Sequence, residues 1–196
     1  MGKITKEFFN RFNIDKNIDI FFETGTYLGD AISHLITEFD IFKEYHSVEI
    51  DTLRYNNCVK RFKDLNNVVL YHGDSTDVLK NELGNSRFKD KKLLFWLDAH
   101  WMGDAAIQGK THCPLLDELE SIKQLNVKPI IVIDDLYFML NRDDPRYENP
   151  EKFSNLNKAD EWPALNEIKS KIYEINKNYN IELSLIEGKE DYLIAQ

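Results

Sequence analysis

A chain of 196 residues is long enough to bury a substantial core as one domain, so it needs no disulfide framework to fold. Its 25 lysines and arginines against 34 aspartates and glutamates give a net charge of −9, which argues against non-specific binding to nucleic acid or to an anionic membrane surface. The two cysteines, Cys58 and Cys113, stand far apart, which excludes a four-cysteine zinc site and fits a reducing compartment.

In chain order, Ile18–Glu23 has the apolar run of a strand and ends in a glycine turn, and the helical spacing of Leu28, Ile32, Leu35, Ile36 and Phe39 predicts a helix over Leu28–Phe39. Tyr45–Ile50 is a second strand, followed by a helical pattern over Asp51–Lys63. Asn67–Tyr71 is a third, with a short helix capped by Ser75 over Ser75–Leu83. Leu93–Asp98 is a fourth, Pro114–Gln124 a helix opened by proline, and Pro129–Asp134 a fifth strand. Apolar strands alternating with helices predict a parallel sheet covered on both faces. Residues 138–160, with Arg142, Asp143, Asp144, Pro145, Arg146 and Pro150, read as a long loop on the acceptor side of the site. A helix over Glu161–Asn178 and two strands, Ile181–Glu187 and Asp191–Ala195, complete the chain. The short Gly188-Lys189-Glu190 link makes those strands antiparallel. The expected architecture is therefore α/β: a Rossmann-like, doubly wound seven-stranded sheet with an antiparallel last strand, forming one domain over residues 1–196. No apolar run is long enough to cross a bilayer, and residues 1–12 lack a secretion signal, so the expectation is a cytoplasmic protein.

Ligands of an open α/β sheet bind beyond the carboxyl ends of its strands. After the first strand comes Glu23-Thr24-Gly25-Thr26-Tyr27-Leu28-Gly29, in which Gly25 permits a tight turn and Gly29 close helix packing. Tyr27 fills the position where a dinucleotide fingerprint has its third glycine, and Glu23 opposes a pyrophosphate, so a nicotinamide cofactor is disfavoured. Glu49 falls 20 residues beyond Gly29, where an acid accepts hydrogen bonds from both ribose hydroxyls, while Asp51 is read as a helix cap. His72-Gly73-Asp74-Ser75 ends the third strand with polar groups suited to an adenine edge, though Ser75 is equally suited to capping. The fourth strand ends in Asp98-Ala99-His100-Trp101 and the fifth in Asp134-Asp135. As neighbours these strands gather three carboxylates at one rim, costly unless a cation such as Mg²⁺ or Mn²⁺ neutralises them; otherwise one acid caps a helix and another is solvated.

Taken together, these motifs resemble the class I S-adenosylmethionine-dependent methyltransferases, and among them the metal-dependent O-methyltransferases of the catechol, caffeoyl-CoA and macrocin types. The matching residues are Glu23, Gly25, Tyr27 and Gly29, the Val48-Glu49 pair, Gly73-x-Ser75, Phe95-x-Leu97-Asp98 with His100-Trp101, and Asp134-Asp135. The resemblance implies S-adenosylmethionine as cofactor. Glu23, Gly25, Thr26, Tyr27 and Gly29 would hold its methionine end, Glu49 its ribose, and Asp74 and Ser75 its adenine, with Asp98 beside it. Asp98, Asp134 and Asp135 would hold Mg²⁺ or another divalent cation. The implied reaction is methyl transfer to a hydroxyl of a small acceptor, sugar or catechol-like, with neither nucleic acid nor membrane as partner and a homodimer as one possible assembly.

Two departures stand out. The catechol type places a lysine base just after the first metal aspartate; here the segment runs Asp98-Ala99-His100-Trp101, making His100 the substitute base acting with Asp98, or else a residue that orients that aspartate or packs under Trp101. The third metal position is aspartate where the catechol type has asparagine. His112 and Cys113 match no zinc spacing. Trp101, Tyr137, Phe138 and Trp162 either line an acceptor pocket or belong to the core, and Arg142 and Arg146 either bind an anionic acceptor or are solvated. A metal-dependent hydrolase on the same sheet and a non-catalytic cofactor-binding subunit are the competing readings; Gly25, Gly29 and Glu49 argue against the hydrolase.

Overall fold

The structure, a computed structural model, describes residues 5–14, 17–39, 41–101, 107–140, 162–186 and 190–196. Among them the chain forms α1 (Lys6–Arg11), β1 (Ile20–Thr24), α2 (Asp30–Glu38), β2 (Glu44–Glu49), α3 (Thr52–Arg61), β3 (Val68–His72), α4 (Ser75–Glu82), β4 (Leu93–Leu97), α5 (Leu115–Ile122), β5 (Ile130–Ile133), α6 (Leu165–Ile175), β6 (Ile181–Ile186) and β7 (Glu190–Ala195). Of the loop expected over 138–160, residues 141–160 lie outside the described residues, with Arg142 and Arg146 among them.

The seven strands make one sheet in the order β3-β2-β1-β4-β5-β7-β6. Strands β1 to β5 pair in parallel, and β7 runs antiparallel to both β5 and β6, as the short final link requires. Alternation along the strands divides the core into two. From β4, Leu93, Phe95 and Leu97 point to one face with Phe22, Leu79, Leu119, Ile168 and Ile172; Leu94 and Trp96 point to the other with Phe21, Ile32, Leu35 and Cys58. Helices therefore cover both faces, and strands buried on both sides read as continuous apolar runs rather than alternating ones.

Two local readings are corrected. The cap of α4 is Asp74, whose carboxylate accepts from the Thr76 N–H at 3.0 Å; Ser75 is the first helical residue. The predicted elements begin at Ile18, yet helix α1 forms before them. Thr5 caps it, and Phe8, Phe9 and Phe12 bury themselves under the sheet, Phe8 packing against Trp96 and Tyr192. Six residues are too few to hold a helix alone, so this one depends on that aromatic contact.

The chain moves outward to β3 on one side of β1 and to β4 and β5 on the other. The strand order thus reverses between β1 and β4, and a crevice opens beyond their carboxyl ends.

Candidate active site

A cavity of about 470 Å³ occupies that crevice, within the size range of small-molecule sites. Its walls come from the ends of all five parallel strands: Gly25 and Tyr27 after β1, Glu49 from β2 with Ile50, Gly73, Asp74 and Ser75 after β3, Asp98, Ala99 and His100 after β4, and Asp134 and Asp135 after β5. The turns stay tied to neighbouring strands, with Gly25 N–H donating to Val48 O at 3.0 Å, Asp98 N–H to Thr24 O at 3.1 Å and Asp134 N–H to Leu97 O at 3.1 Å.

Gly25 is where the β1 and β4 turns meet. It adopts φ +86°, and a Cβ there would run into the Asp98 backbone carbonyl. Only glycine meets both demands. Tyr27 follows at φ 53°, an uncommon conformation for a large residue, held by its N–H donating to Glu49 Oε2 at 2.6 Å and by the Arg54 guanidinium 4.5 Å from its ring centroid.

Each carboxylate oxygen of Glu49 and Asp74, on this side, accepts a backbone N–H. Glu49 Oε1 accepts from Asp51 N–H at 2.8 Å, so each of its oxygens already takes one N–H and keeps a lone pair for the cavity. Burial raises its pKa despite those bonds. Asp74 Oδ1 accepts from Thr76, and its Oδ2 from Lys110 N–H at 2.9 Å. Burial opposes its ionisation, yet these bonds outweigh that and lower its pKa. Gly109 lies so close that a Cβ would stand 2.6 Å from Asp74 Oδ2. Asp51 caps α3, as expected, accepting from Leu53 and Arg54 N–H.

The rim of β4 and β5 is wired differently. His100 is buried, with its ring against Trp162 at 4.7 Å between centroids, and its Nε2 stands 2.6 Å from Asp135 Oδ2 and 3.4 Å from Asp98 Oδ1. Burial, then the charges of Asp134 and Asp135, push the Asp98 carboxyl up to about 8, with His100 opposing. Burial likewise raises Asp134 to about 6, with Asp135 adding to the shift. Burial would raise Asp135 and lower His100, but their mutual hydrogen bond and charge reverse both, so Asp135 is lowered and His100 raised. Asp135 sits at φ 53°, held by its own N–H donating to Asp134 Oδ1 at 2.9 Å.

The expected metal trio of Asp98, Asp134 and Asp135 does not converge. Among the described residues, the atoms that do come within 4.8 Å of one another belong to Asp98, His100 and Asp135. Asp134 borders the same cavity and accepts the Asp135 N–H on Oδ1. Three of the residues expected at the methionine end also lie behind the wall rather than on it. Glu23 is buried and accepts from Ser47 Oγ at 2.6 Å, and Thr26 shares a 2.6 Å hydrogen bond with the same Ser47 hydroxyl. Burial pushes Glu23 up to about 8, Asp98 and Glu49 adding to it and Ser47 opposing. Gly29, at φ +78°, serves packing: a Cβ would meet the Phe62 ring at 2.7 Å. Trp101 stacks on buried His112 at 4.8 Å, whereas the side chains of Tyr137 and Phe138 lie outside the described residues.

Glu118 of α5 is a site residue outside the sequence motifs. It is buried beneath the cavity floor, where desolvation pushes its carboxyl up to about 7 against hydrogen bonding from the Ser75 and Thr24 side chains, and its Oε1 has no partner among the described residues. Thr24 Oγ1 in turn accepts from Asp98 N–H at 3.3 Å. The carboxyl thus underlies both the Ser75 wall and the Asp98 turn. Its place was readable from spacing, because Leu115, Glu118, Leu119 and Ile122 share one helical face and the other three are apolar.

No family model and no curated protein matches this sequence. Among solved structures, PigF with S-adenosylhomocysteine superposes with a TM-score of 0.57 at 12% identity over 95% of this chain; the chain spans about half of PigF, 52% of its length. A methyltransferase of Podospora anserina, PaMTH1, bound to S-adenosylhomocysteine, gives 0.55 at 14% identity over 91% of this chain and 71% of its own. A Staphylococcus aureus protein provisionally assigned as a caffeoyl-CoA O-methyltransferase gives 0.52 at 13% identity over 92% and 76%. This likeness establishes the fold, that of the class I methyltransferases.

Proposed function

Starting from that fold, we propose that the protein transfers a methyl group from S-adenosylmethionine to a hydroxyl of a small acceptor, with a divalent cation at the β4–β5 rim. The observation that carries the reading is one continuous cavity with Glu49 at one end and the Asp98, His100 and Asp135 cluster at the other. The bound S-adenosylhomocysteine of PigF and PaMTH1 supports the donor, and the Staphylococcus aureus protein supports oxygen as the receiving atom.

Glu49 keeps one lone pair on each oxygen for the two ribose hydroxyls. Gly25 lets the chain approach a ligand with no side chain intervening. Ser75 and Asp74 border the region assigned to adenine, and Tyr27 and Ile50 line the cavity near Glu49. An acidic wall suits a donor carrying a sulfonium and an ammonium group and disfavours a pyrophosphate. Because the sulfonium methyl is already activated, the protein's contribution is alignment, which supplies on the order of 7–11 kcal/mol at best. The donor set at the rim fits a divalent cation, which when bound would favour the ionised form of an acceptor hydroxyl ligated to it. Asp98 and Asp135 would hold it, and Asp134 would hold Asp135 in place.

The test is transfer of a ¹³C-labelled methyl group to a panel of sugars and catechols, read by NMR. A labelled O–CH₃ signal is expected. Label arriving only on nitrogen, or none while the protein binds S-adenosylhomocysteine, would overturn the acceptor chemistry.

A further inference from the structure

We propose that His100 is a metal ligand, completing with Asp98 and Asp135 a three-residue site that takes a first-row transition-metal cation such as Co²⁺ or Mn²⁺ in preference to Mg²⁺. This deepens the reading above, on which it rests, by naming the third ligand and the class of ion.

The geometry carries it. The Nε2 atom of His100 faces two carboxylates at once, at 2.6 Å and 3.4 Å, and all three ligand atoms lie within 4.8 Å of one another. Two ligands at right angles, each about 2.1 Å from a common ion, stand about 3 Å apart, so modest shifts of these side chains would seat one. A single imidazole N–H can serve only one carboxylate well, whereas a cation at the centre serves both.

The ring is also pre-set. The His100 side chain is 3% exposed and its ring packs against Trp162, so little freedom remains to be lost on coordination. On the opposite side, Asp134 spends Oδ1 on the Asp135 N–H and holds Asp135 at φ 53°, which aims that carboxylate at His100. Asp134 is therefore a positioning residue for the site. All three proposed ligands border the cavity, so coordination positions remain open on that side, the arrangement of a catalytic rather than a structural metal site.

The donor set decides the ion. Mg²⁺ prefers six oxygens, keeps several waters and gains little from an imidazole. An imidazole nitrogen adds affinity for first-row transition metals over Mg²⁺, least for Mn²⁺ and more along the series towards Cu²⁺.

The experiment uses the full chain, stripped with chelator and titrated separately with MnCl₂ and MgCl₂. Free Mn²⁺ is read by electron paramagnetic resonance, and its ligands by electron spin-echo modulation. Mn²⁺ is expected to bind at least about tenfold more tightly than Mg²⁺ and to show modulation from a coordinated ¹⁴N, both lost in His100→Gln, since losing even a supporting contact at a metal site costs about 10–100-fold. Should His100→Gln fail to fold, wild-type protein labelled with ¹⁵N-histidine decides the matter, because the modulation must change isotope. Mn²⁺ binding without nitrogen coupling, or no Mn²⁺ binding, overturns the proposal. Calorimetry with S-adenosylhomocysteine on the same samples separates the two levels: binding retained without nitrogen coupling sinks only the His100 site, and binding absent sinks the donor site itself.

Discussion

Glu49 and Asp74 at one end of the cavity accept backbone N–H groups on both of their oxygens, whereas Asp98 and Asp135 at the other share a single histidine and Asp134 accepts from the Asp135 N–H. The first end is preformed: its carboxylates are fixed by Tyr27, Asp51, Thr76 and Lys110 whether or not a ligand is present. The second is short of positive charge, and burial there pushes two carboxyls up, Asp98 to about 8 and Asp134 to about 6. Acids that hold a shape and acids that await a charge are told apart by their hydrogen bonds, not by residue type.

The largest test of that division is at Gly25, where the two ends touch. Gly25→Ala introduces positive-φ strain of about 1–3 kcal/mol and, in addition, a clash with the Asp98 carbonyl. Donor binding should be lost by calorimetry and the melting temperature should fall by several degrees; near-normal binding would mean the turns are not in contact. Glu49→Gln addresses the preformed end alone. Losing charged hydrogen bonds to ribose should weaken S-adenosylhomocysteine about tenfold to a hundredfold, some 1.5–3 kcal/mol, while leaving Mn²⁺ affinity at the other end unchanged. A parallel loss of metal binding would dissolve the comparison.

Glu118, beneath both ends, should give the smallest and most pH-dependent effect. Its carboxyl moves from an ordinary 4.5 up to about 7 in the fold, so the native chain keeps a proton that the unfolded chain releases. Its stabilising contribution is therefore complete below about pH 4.5 and is lost as the pH rises through about 7. In calorimetric melts from pH 5 to 8, the wild-type advantage over Glu118→Gln should shrink as the pH rises. A constant gap would show that Glu118 ionises as freely as in water.

The sheet is legible in the sequence because its central strands β1, β4 and β5, buried on both faces, read as compact apolar runs between helical periods. Helix α1 is not, since Phe8 meets its partners only when Trp96 and Tyr192 arrive from β4 and β7. The strand-end acids were legible as a set, and Asp51 and Asp98 fall where their positions predict. Which acids meet was not: the left-handed backbone of Asp135, unusual for a residue other than glycine, turns its carboxylate to His100 and leaves Asp134 behind. Glu23 looked like a ligand residue from its place at a glycine turn, yet the register that sets it opposite Ser47 buries it.

The most direct measurement is calorimetric titration of the chelator-stripped protein with S-adenosylhomocysteine, followed by NAD⁺. The account predicts saturable one-to-one binding in the micromolar range, about −8 kcal/mol, with no heat from NAD⁺. No S-adenosylhomocysteine binding at millimolar concentration, or NAD⁺ binding in its place, would contradict it.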